Sequence, residues 1–247
     1  MKLLAFETAT EACSIAVYVD GEVRERFEVA PRRHAELALP WAEQLLAEAG
    51  IARTQLDGIA LSRGPGAFTG VRLAIALAQG IALALDRPLL PVSTLAVLAA
   101  RVPPPCVVAG EAGCAVVAAP PILAAIDARM GEVYTGTFAW RDHVLTATSA
   151  EAVLAPAGYD LPGDDAGWIG VGTGLAAADG VLATRLQARF ARIDAQALPH
   201  AADLARLAAD AFARGEAVAP EQVEPAYLRN NVALTLEEQK ALRASRA

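Results

Sequence analysis

Hydrophobic and polar positions alternate in short segments at the start of the chain and then take up a helical period. The segments "KLLAF", "CSIAVYV" and "DGEVRERFEVA" are typical of strands, and Asp20-Gly21 is a strong hairpin signal. They predict a meander of about three antiparallel strands. The next segment predicts a helix that Pro40 kinks or restarts and that Gly50 ends. Its apolar side chains recur at helical spacing: Leu37, Trp41, Leu45 and Ala49.

A glycine-rich turn, residues 63–70, separates a short buried strand in "LDGIALS" from a long apolar helix at about Thr69 to Leu85. From Val71 onward, Arg72 and Gln79 are the polar side chains of this helix, so it must be covered on nearly all sides. Small side chains along it allow a second helix to approach closely. "RPLLPVS" then predicts a further strand and "TLAVLAARV" a further helix. The glycines of the turn are Gly64, Gly66 and Gly70.

Three interpretations of this turn stay open on its residues alone. It is similar to a phosphate cradle, because glycines before a helix N-terminus direct backbone N–H groups at an anion, although GxxxxGK[ST] and GxGxxG are absent. At "ALSRG" it is similar to a nucleophile elbow with Ser62 as nucleophile, although the sequence has only three histidines to supply a base. The third interpretation is a packing surface. In that case the helix is either a fully buried core helix or one whose face meets another subunit.

The pattern of the first half recurs in the second half. "ILAAIDARMGEVYTGTFAWRDHV" echoes "LLAFETATEACSIAVYVDGEV", with Asp127 at the position of Glu7, and "GWIGVGTGLAAADGVL" echoes the strand, glycine turn and helix. A weak duplication of a βββαβα unit predicts an α/β protein with the actin-like (RNase H-like) fold, in which two lobes face a cleft. The predicted lobes are residues 1–101 and 122–247, joined by a proline-bounded linker or insertion at 102–121. The charged end of the chain is expected to be frayed.

Composition narrows the class of protein. The 247 residues are 55% hydrophobic, which is ample for a core, and a net charge of -7 argues against stand-alone binding to nucleic acid. Three cysteines without CxxC spacing suit a reducing cytosol, and Cys13 is expected in the core. No signal peptide is visible, and the apolar run Leu73 to Leu85 is too short for a bilayer. A soluble, cytoplasmic protein is therefore expected.

Several of these segments resemble a known family. "GPGAFTGVRLAIALAQGIA" resembles the "GPGSFTGxR" motif of the TsaB (YeaZ) family, bacterial proteins of threonylcarbamoyladenosine tRNA modification. "LAFETATEACSIAV", "HAELALPWAEQLL", "IDARMGEVYTGTF" and "PAYLR" match as well, in order and over most of the chain. Residues 102–121 are longer than is usual for the family.

The resemblance implies the actin-like fold and a division of labour. A catalytic paralogue, TsaD, transfers a threonylcarbamoyl group from its adenylate to N6 of adenosine 37 in ANN-decoding tRNAs, and binds a metal through an HxxxH pair. Thr94 and Leu98 stand at the corresponding positions here, and leucine cannot ligate a metal. The resemblance therefore implies no catalytic residue, metal or resident cofactor in this chain, and leaves weak nucleotide binding open. His34 is expected to have a capping or surface role.

The resemblance also implies partners. They are a TsaD-type paralogue, a second copy of the chain on the same surface, a TsaE-type small ATPase through the complex, and tRNA mainly through the other subunits, with no membrane. The alternative is an ATP-dependent enzyme of the actin-like class, with Glu7 and Asp127 as candidate cleft acids that hold Mg²⁺. The interface is expected on the helices around residues 35–49 and 69–85, at Leu37, Trp41, Leu45, Thr69, Val71, Arg72, Ile75, Leu77 and Gln79.

Overall fold

Two mixed β-sheets form the frame of the molecule. The computed structural model describes residues 1–105, 108–110, 113–115 and 119–229. In the first sheet an antiparallel meander is followed by two strands parallel to its first strand, in the order β3-β2-β1-β4-β5. The predicted meander is confirmed. The strands are β1 (Lys2–Glu7), β2 (Ala12–Val19), β3 (Glu22–Val29), β4 (Gly58–Ser62) and β5 (Leu89–Val92).

The second sheet repeats this topology. A short antiparallel pair, β6 (Val108–Gly110) and β7 (Gly113–Ala115), precedes it within the predicted linker; the rest of residues 106–118 and the tail from residue 230 lie outside the described residues. The second sheet has the order β10-β9-β8-β12-β13, and β11 pairs with β9. The equal strand order confirms the predicted duplication and the actin-like fold. Its strands are β8 (Ile122–Arg129), β9 (Glu132–Arg141), β10 (Val144–Ala147), β11 (Ala152–Leu154), β12 (Trp168–Val171) and β13 (Phe190–Asp194).

Five α-helices of the described residues cover these sheets: α1 (His34–Glu48), α2 (Phe68–Leu85), α3 (Thr94–Ala99), α4 (Ala177–Arg185) and α5 (Ala201–Ala213). α1 and α2 pack on one face of the first sheet, in a single apolar core. α5 packs on the opposite face of that sheet, against residues such as Leu3 and Ala5. α3 packs on the second sheet against Ile122 and Ala124, and α4 covers its other face.

The last helix of each half therefore packs on the sheet of the other half. The predicted boundary at residue 101 separates the strands of the first sheet from those of the second. By their packing, however, α3 belongs to the second lobe and α5 to the first. This exchange ties the lobes together by two helices.

Polar side chains of the first sheet hold the N-terminus of α5. The amide of Ala201 donates to Ser14 Oγ at 2.8 Å, and the amide of Ala202 donates to Glu25 Oε1 at 3.0 Å. His200 Nδ1 lies 3.0 Å from Glu25 Oε2. Burial alone would raise the pKa of Glu25, but the hydrogen bonds from His200, Ser14 and the Ala202 amide lower it. A charged carboxylate at a helix N-terminus is favoured by the helix dipole.

Two local features of α1 can be compared with the sequence. Pro40 lies inside one uninterrupted helix, so the helix does not restart there. Gly50 follows the helix with φ of +67°, a conformation that glycine adopts without strain, and the predicted helix end is confirmed.

Candidate functional site: the glycine-rich turn and the face of helix α2

The glycine-rich turn packs tightly against the β1–β2 turn. The amide of Ala67 donates to the carbonyl of Ala9 at 2.7 Å, and the hydroxyl of Thr8 donates to the carbonyl of Gly70 at 2.7 Å. A Cβ added at Gly70 would lie 1.9 Å from the carbonyl oxygen of Thr8, and one at Gly66 would lie 2.4 Å from that of Ala9. Glycine is required at both positions because no side chain fits between the two backbones.

Gly64 has a different role in the turn. Its φ is +97°, in the region that favours glycine, and the following peptide bond to Pro65 is cis. The carbonyl of Gly64 accepts a hydrogen bond from the amide of Thr94 at 3.0 Å. The turn is thus fixed on one side by the β1–β2 turn and on the other by the start of α3.

A histidine supports the same region from α1. His34 Nε2 lies 3.0 Å from the carbonyl oxygen of Thr10 and 3.1 Å from that of Ala12. Both neighbours are acceptors, so Nε2 is the donor in these contacts. His34 therefore holds the β1–β2 turn, which differs from the capping or surface role expected.

These contacts argue against the turn as a phosphate cradle or as a nucleophile elbow. The amide of Ala67, the residue before α2, is bonded within the protein, as is the carbonyl of Gly70, and the turn faces the β1–β2 backbone. Ser62 is fully buried at the end of β4 and lies outside the turn, so its hydroxyl is not placed as an exposed nucleophile. The geometry therefore favours the packing interpretation.

Glu7, the first candidate cleft acid, is fully buried at the end of β1. Its Oε1 accepts a hydrogen bond from the amide of Ala9 at 2.8 Å, and Oε2 has no hydrogen-bond partner among the described residues. Burial raises the pKa of the Glu7 carboxyl to about 7. Burial outweighs the hydrogen bond from the Ala9 amide, which by itself lowers this pKa. Glu7 is thus a buried acid at the end of β1 and not an exposed cleft acid.

Asp127, the second candidate, is engaged by its own strand end. Its Oδ1 accepts from the amide of Arg129 at 2.7 Å, and its Oδ2 pairs with the Arg129 guanidinium at 2.9 Å. Among the described residues, no group of three His, Cys, Asp or Glu side chains is placed to hold a metal ion. Thr94 and Leu98, the two positions that correspond to the metal pair, are fully buried in α3.

A cavity of about 570 Å³ lies between the lobes. Neither Glu7 nor Asp127 is among its lining residues, so the two candidate acids are not brought together there. Its lining comes from both halves of the chain. Residues 1–101 contribute Arg63, Ser93 and Ala96, the second sheet and its loops contribute Phe138, Leu145, Ala147 and Glu151, and the remaining lining residues are Ala226, Tyr227 and Leu228. The hydroxyl of Ser93 is hydrogen-bonded to the carboxylate of Glu151 across this cavity.

Helix α2 has two different sides. One side is buried in the core of the first lobe, through Val71, Ala74, Ile75, Ala78 and Ala82. The other side is not covered by the described residues, and we call it the open face. It consists of Thr69, Ala76, Gly80, Leu83 and Ala84, all exposed, with Leu83 at 70%. Of the two packing alternatives, a fully buried core helix therefore does not fit the residues that the structure describes.

By length and composition α2 could cross a membrane, and it is the one helix of the described residues for which this is true. It has 18 residues, so the expectation of a run too short for a bilayer does not apply to the helix as folded. Its buried side packs on the sheet, as in a core helix of a soluble protein.

The structure divides the predicted interface residues into three groups. Leu45, Val71 and Ile75 are 1%, 5% and 7% exposed, so they belong to the core and cannot supply a surface in this conformation. Leu37, Trp41 and Leu77 are partly buried against the same core. Thr69 is exposed, Arg72 is held by Phe68 and Tyr227, and Gln79 donates to the carbonyl of Pro220 at 2.8 Å.

An exposed aromatic group at the start of α2 was missed by sequence reasoning. The Arg72 guanidinium carbon lies 3.3 Å from the centroid of the Phe68 ring and 5.1 Å from that of Tyr227, and the guanidinium also bonds the Tyr227 hydroxyl. Phe68 and Tyr227 remain 67% and 57% exposed. The spacing of Phe68 and Arg72 along one helix was visible in the sequence, but the approach of Tyr227 from the end of the chain was not.

Comparison with known proteins identifies the family. The family model described as TsaD, tRNA N6-adenosine threonylcarbamoyltransferase, matches residues 27–236. The TsaB protein of Escherichia coli K12, a tRNA threonylcarbamoyladenosine biosynthesis protein, is 40% identical over 94% of this chain and 96% of its own length. This chain belongs to the TsaB family. The TsaB protein of Haemophilus influenzae is 34% identical over 94% of this chain and 95% of its own length.

A solved structure agrees with this assignment to the TsaB family. A Pseudomonas aeruginosa protein described as similar to YeaZ is 45% identical, covers 92% of this chain and 99% of its own length, and superimposes with a TM-score of 0.81. A tRNA N6-adenosine threonylcarbamoyltransferase from Chlorobaculum tepidum matches only 38% of this chain, at 33% identity. The chain is therefore a TsaB protein of threonylcarbamoyladenosine biosynthesis and a paralogue within the TsaD family.

Proposed function

We propose that this chain is a non-catalytic assembly subunit, required for threonylcarbamoylation of N6 of adenosine 37 in ANN-decoding tRNAs. It acts by binding and supporting the catalytic TsaD-type paralogue. The observation that carries the proposal is the open face of α2, which the described part of the chain leaves in solvent although it is apolar over most of its length. Contiguous exposed apolar surface of this kind marks interaction sites in soluble proteins.

The chemistry of the open face suits contact with another helix. Ala76, Gly80 and Ala84 are small, so a partner helix can approach closely, and Leu83 supplies a large apolar side chain. Burial of apolar surface contributes roughly 25 cal/mol per Å², which favours association of such a face. The same face serves for pairing with the paralogue and for self-association, since both need an apolar helix surface. The two assemblies then compete.

The remaining assignments follow from this role. A TsaE-type small ATPase joins through the complex, and tRNA is bound mainly by the other subunits, in keeping with a net charge of -7. The protein acts in the cytoplasm and has no resident cofactor.

The alternative, an ATP-dependent enzyme with Glu7 and Asp127 as cleft acids, has less support. Glu7 is buried with its pKa raised to about 7, and Asp127 is paired with Arg129. Neither carboxyl group lines the cavity between the lobes. Measurable ATPase activity of the isolated chain that Asp127→Ala abolishes would favour the alternative.

Charged substitutions on the open face test the assembly role. We expect Ala76→Glu and Leu83→Glu to weaken binding to the TsaD-type paralogue by at least about 30-fold, because each places a charge in an apolar interface. Binding is measured by isothermal titration calorimetry. Val144→Glu, a substitution of an exposed residue of the second lobe, is the matched control. Ile75→Glu is unsuitable because Ile75 is in the core, where the change tests folding.

The test compares the open face of α2 with the control position, Val144, on the second lobe. Loss of binding in Ala76→Glu and Leu83→Glu with intact binding in Val144→Glu supports the proposal. Wild-type affinity in both open-face variants, with circular dichroism showing an intact fold, would contradict it.

A further inference from the structure

The segment after α5 runs along the first lobe and then reaches the second. Val218 and Leu89 exchange both backbone hydrogen bonds at 2.9 Å, and the carbonyl of Pro220 accepts from Gln79. Val223 is buried in the core beside α2, and the amide of Ala226 donates to the carbonyl of Arg63 at 2.8 Å. The segment is thus attached to the first lobe at successive points from residue 218 to residue 226.

Its next charged residue is bonded to the other lobe. Arg229 Nη2 donates to the carbonyl of Ala128 at 3.2 Å and pairs with the carboxylate of Glu132, and Nη1 lies 3.7 Å from the sulfur of Met130. The guanidinium therefore spans the β8–β9 turn from one side to the other. The Arg229 side chain is only 19% exposed, so these contacts are partly shielded from water.

The turn that Arg229 contacts has an unusual backbone. Arg129, Met130 and Gly131 all have positive φ, at 63°, 56° and 76°. Residues other than glycine adopt this conformation at a cost, and contacts around the turn offset it. Asp127 supplies some of them, through its bonds to the amide and guanidinium of Arg129. Met130 itself is 87% exposed and provides little packing. The bonds from Arg229 to Ala128 and Glu132, on either side of these residues, supply contacts of this kind.

We propose that residues 218–229 form a strap that holds the β8–β9 turn of the second lobe in a fixed position relative to the first lobe, with Arg229 as the positioning residue. Ala226, Tyr227 and Leu228 of the strap line the cavity between the lobes. The strap therefore restrains the movement of the lobes about this cavity. This inference is independent of which protein binds the open face of α2.

Hydrogen–deuterium exchange of the full chain, followed by mass spectrometry, tests the strap. In Arg229→Ala we expect exchange of peptides covering residues 128–133 and 225–229 to rise about tenfold, because hydrogen bonds to a charged group are lost. Exchange in β1 and α2 should not change. Arg229→Lys keeps the charge opposite Glu132 but cannot span the turn, so we expect a smaller rise at the same peptides.

Arg141→Ala is the matched control. Arg141 is an exposed arginine of β9 with no side-chain partner among the described residues, and its removal should leave the β8–β9 turn unchanged. Unchanged exchange at residues 128–133 in Arg229→Ala would overturn the proposal. A rise of equal size throughout the chain would also overturn it, because Arg229 would then contribute to overall stability and not to the position of the turn.

Discussion

Glu7 is a carboxyl group whose pKa is raised by burial. It lies at the end of β1, fully buried, with one oxygen bonded to the amide of Ala9 and the other without a partner among the described residues. The sequence placed this residue at the end of the first strand but suggested a cleft acid. Burial could not be predicted, because it depends on how segments distant in sequence, such as β4 beside β1, pack together. The same holds for His34, whose two backbone acceptors lie on the β1–β2 turn.

The raised pKa of Glu7 makes stability depend on pH. The folded value is about 7 and the ordinary value is 4.5, so the folded state retains a proton that the unfolded chain loses. The contribution of Glu7 to stability is therefore full below pH 4.5, falls as pH rises, and levels off above about pH 7. Across this window the loss is roughly 3 kcal/mol, at about 1.4 kcal/mol for each pH unit.

Glu7→Gln should remove this loss, since the amide keeps the acceptor for Ala9 and cannot ionise. We expect the variant to gain roughly 3 kcal/mol over the wild type between acid and alkaline conditions, in urea unfolding at a series of pH values. Glu22→Gln, which changes an exposed carboxyl group, is the control and should give no such difference. A constant difference between Glu7→Gln and wild type at every pH would contradict this prediction, because it would show that Glu7 has the same pKa in the folded and unfolded protein.

Helix α2 shows what a hydrophobic pattern can and cannot predict about an element. The pattern predicted the glycine-rich turn and a helix from about Thr69 to Leu85. The observed helix runs from Phe68 to Leu85. The pattern could not show which side of the helix is covered, because nearly every position is apolar. In the sequence, Val71 and Ile75 cannot be distinguished in this respect from Ala76 and Leu83. The structure resolves this, with Val71 and Ile75 against the sheet and Ala76 and Leu83 in solvent.

Two glycines of this helix provide a matched pair of substitutions. A Cβ at Gly70 would meet the carbonyl oxygen of Thr8 at 1.9 Å, whereas one at Gly80 has nothing within 4 Å. We expect Gly70→Ala to destabilise the protein by about 1–3 kcal/mol through overpacking. Gly80→Ala should stabilise it by about 0.5–1 kcal/mol, since alanine favours a helix interior.

The midpoints of urea unfolding for the two variants check this account. Opposite signs are expected. Equal effects would contradict the view that the glycines of the turn serve close backbone contact, while Gly80 is part of an open surface.

For the whole molecule, the repeat in the sequence predicted the duplicated fold correctly. The strand orders β3-β2-β1-β4-β5 and β10-β9-β8-β12-β13 are the same arrangement. The exchange of α3 and α5 between the lobes could not be predicted, because periodicity shows that a helix has an apolar side but not which sheet covers it. The strap from residue 218 to 229 could not be predicted either, because its contacts join residues far apart in the chain.

The most direct test of the assembly role is a reconstituted tRNA modification reaction. It contains the TsaD-type paralogue, the adenylate-forming enzyme, the TsaE-type ATPase, threonine, bicarbonate, ATP and an ANN-decoding tRNA, with or without this chain. We expect threonylcarbamoyladenosine to form only when the chain is present, none with the chain alone, and a large reduction with Leu83→Glu but not with Val144→Glu. Equal product without the chain would contradict the assembly role.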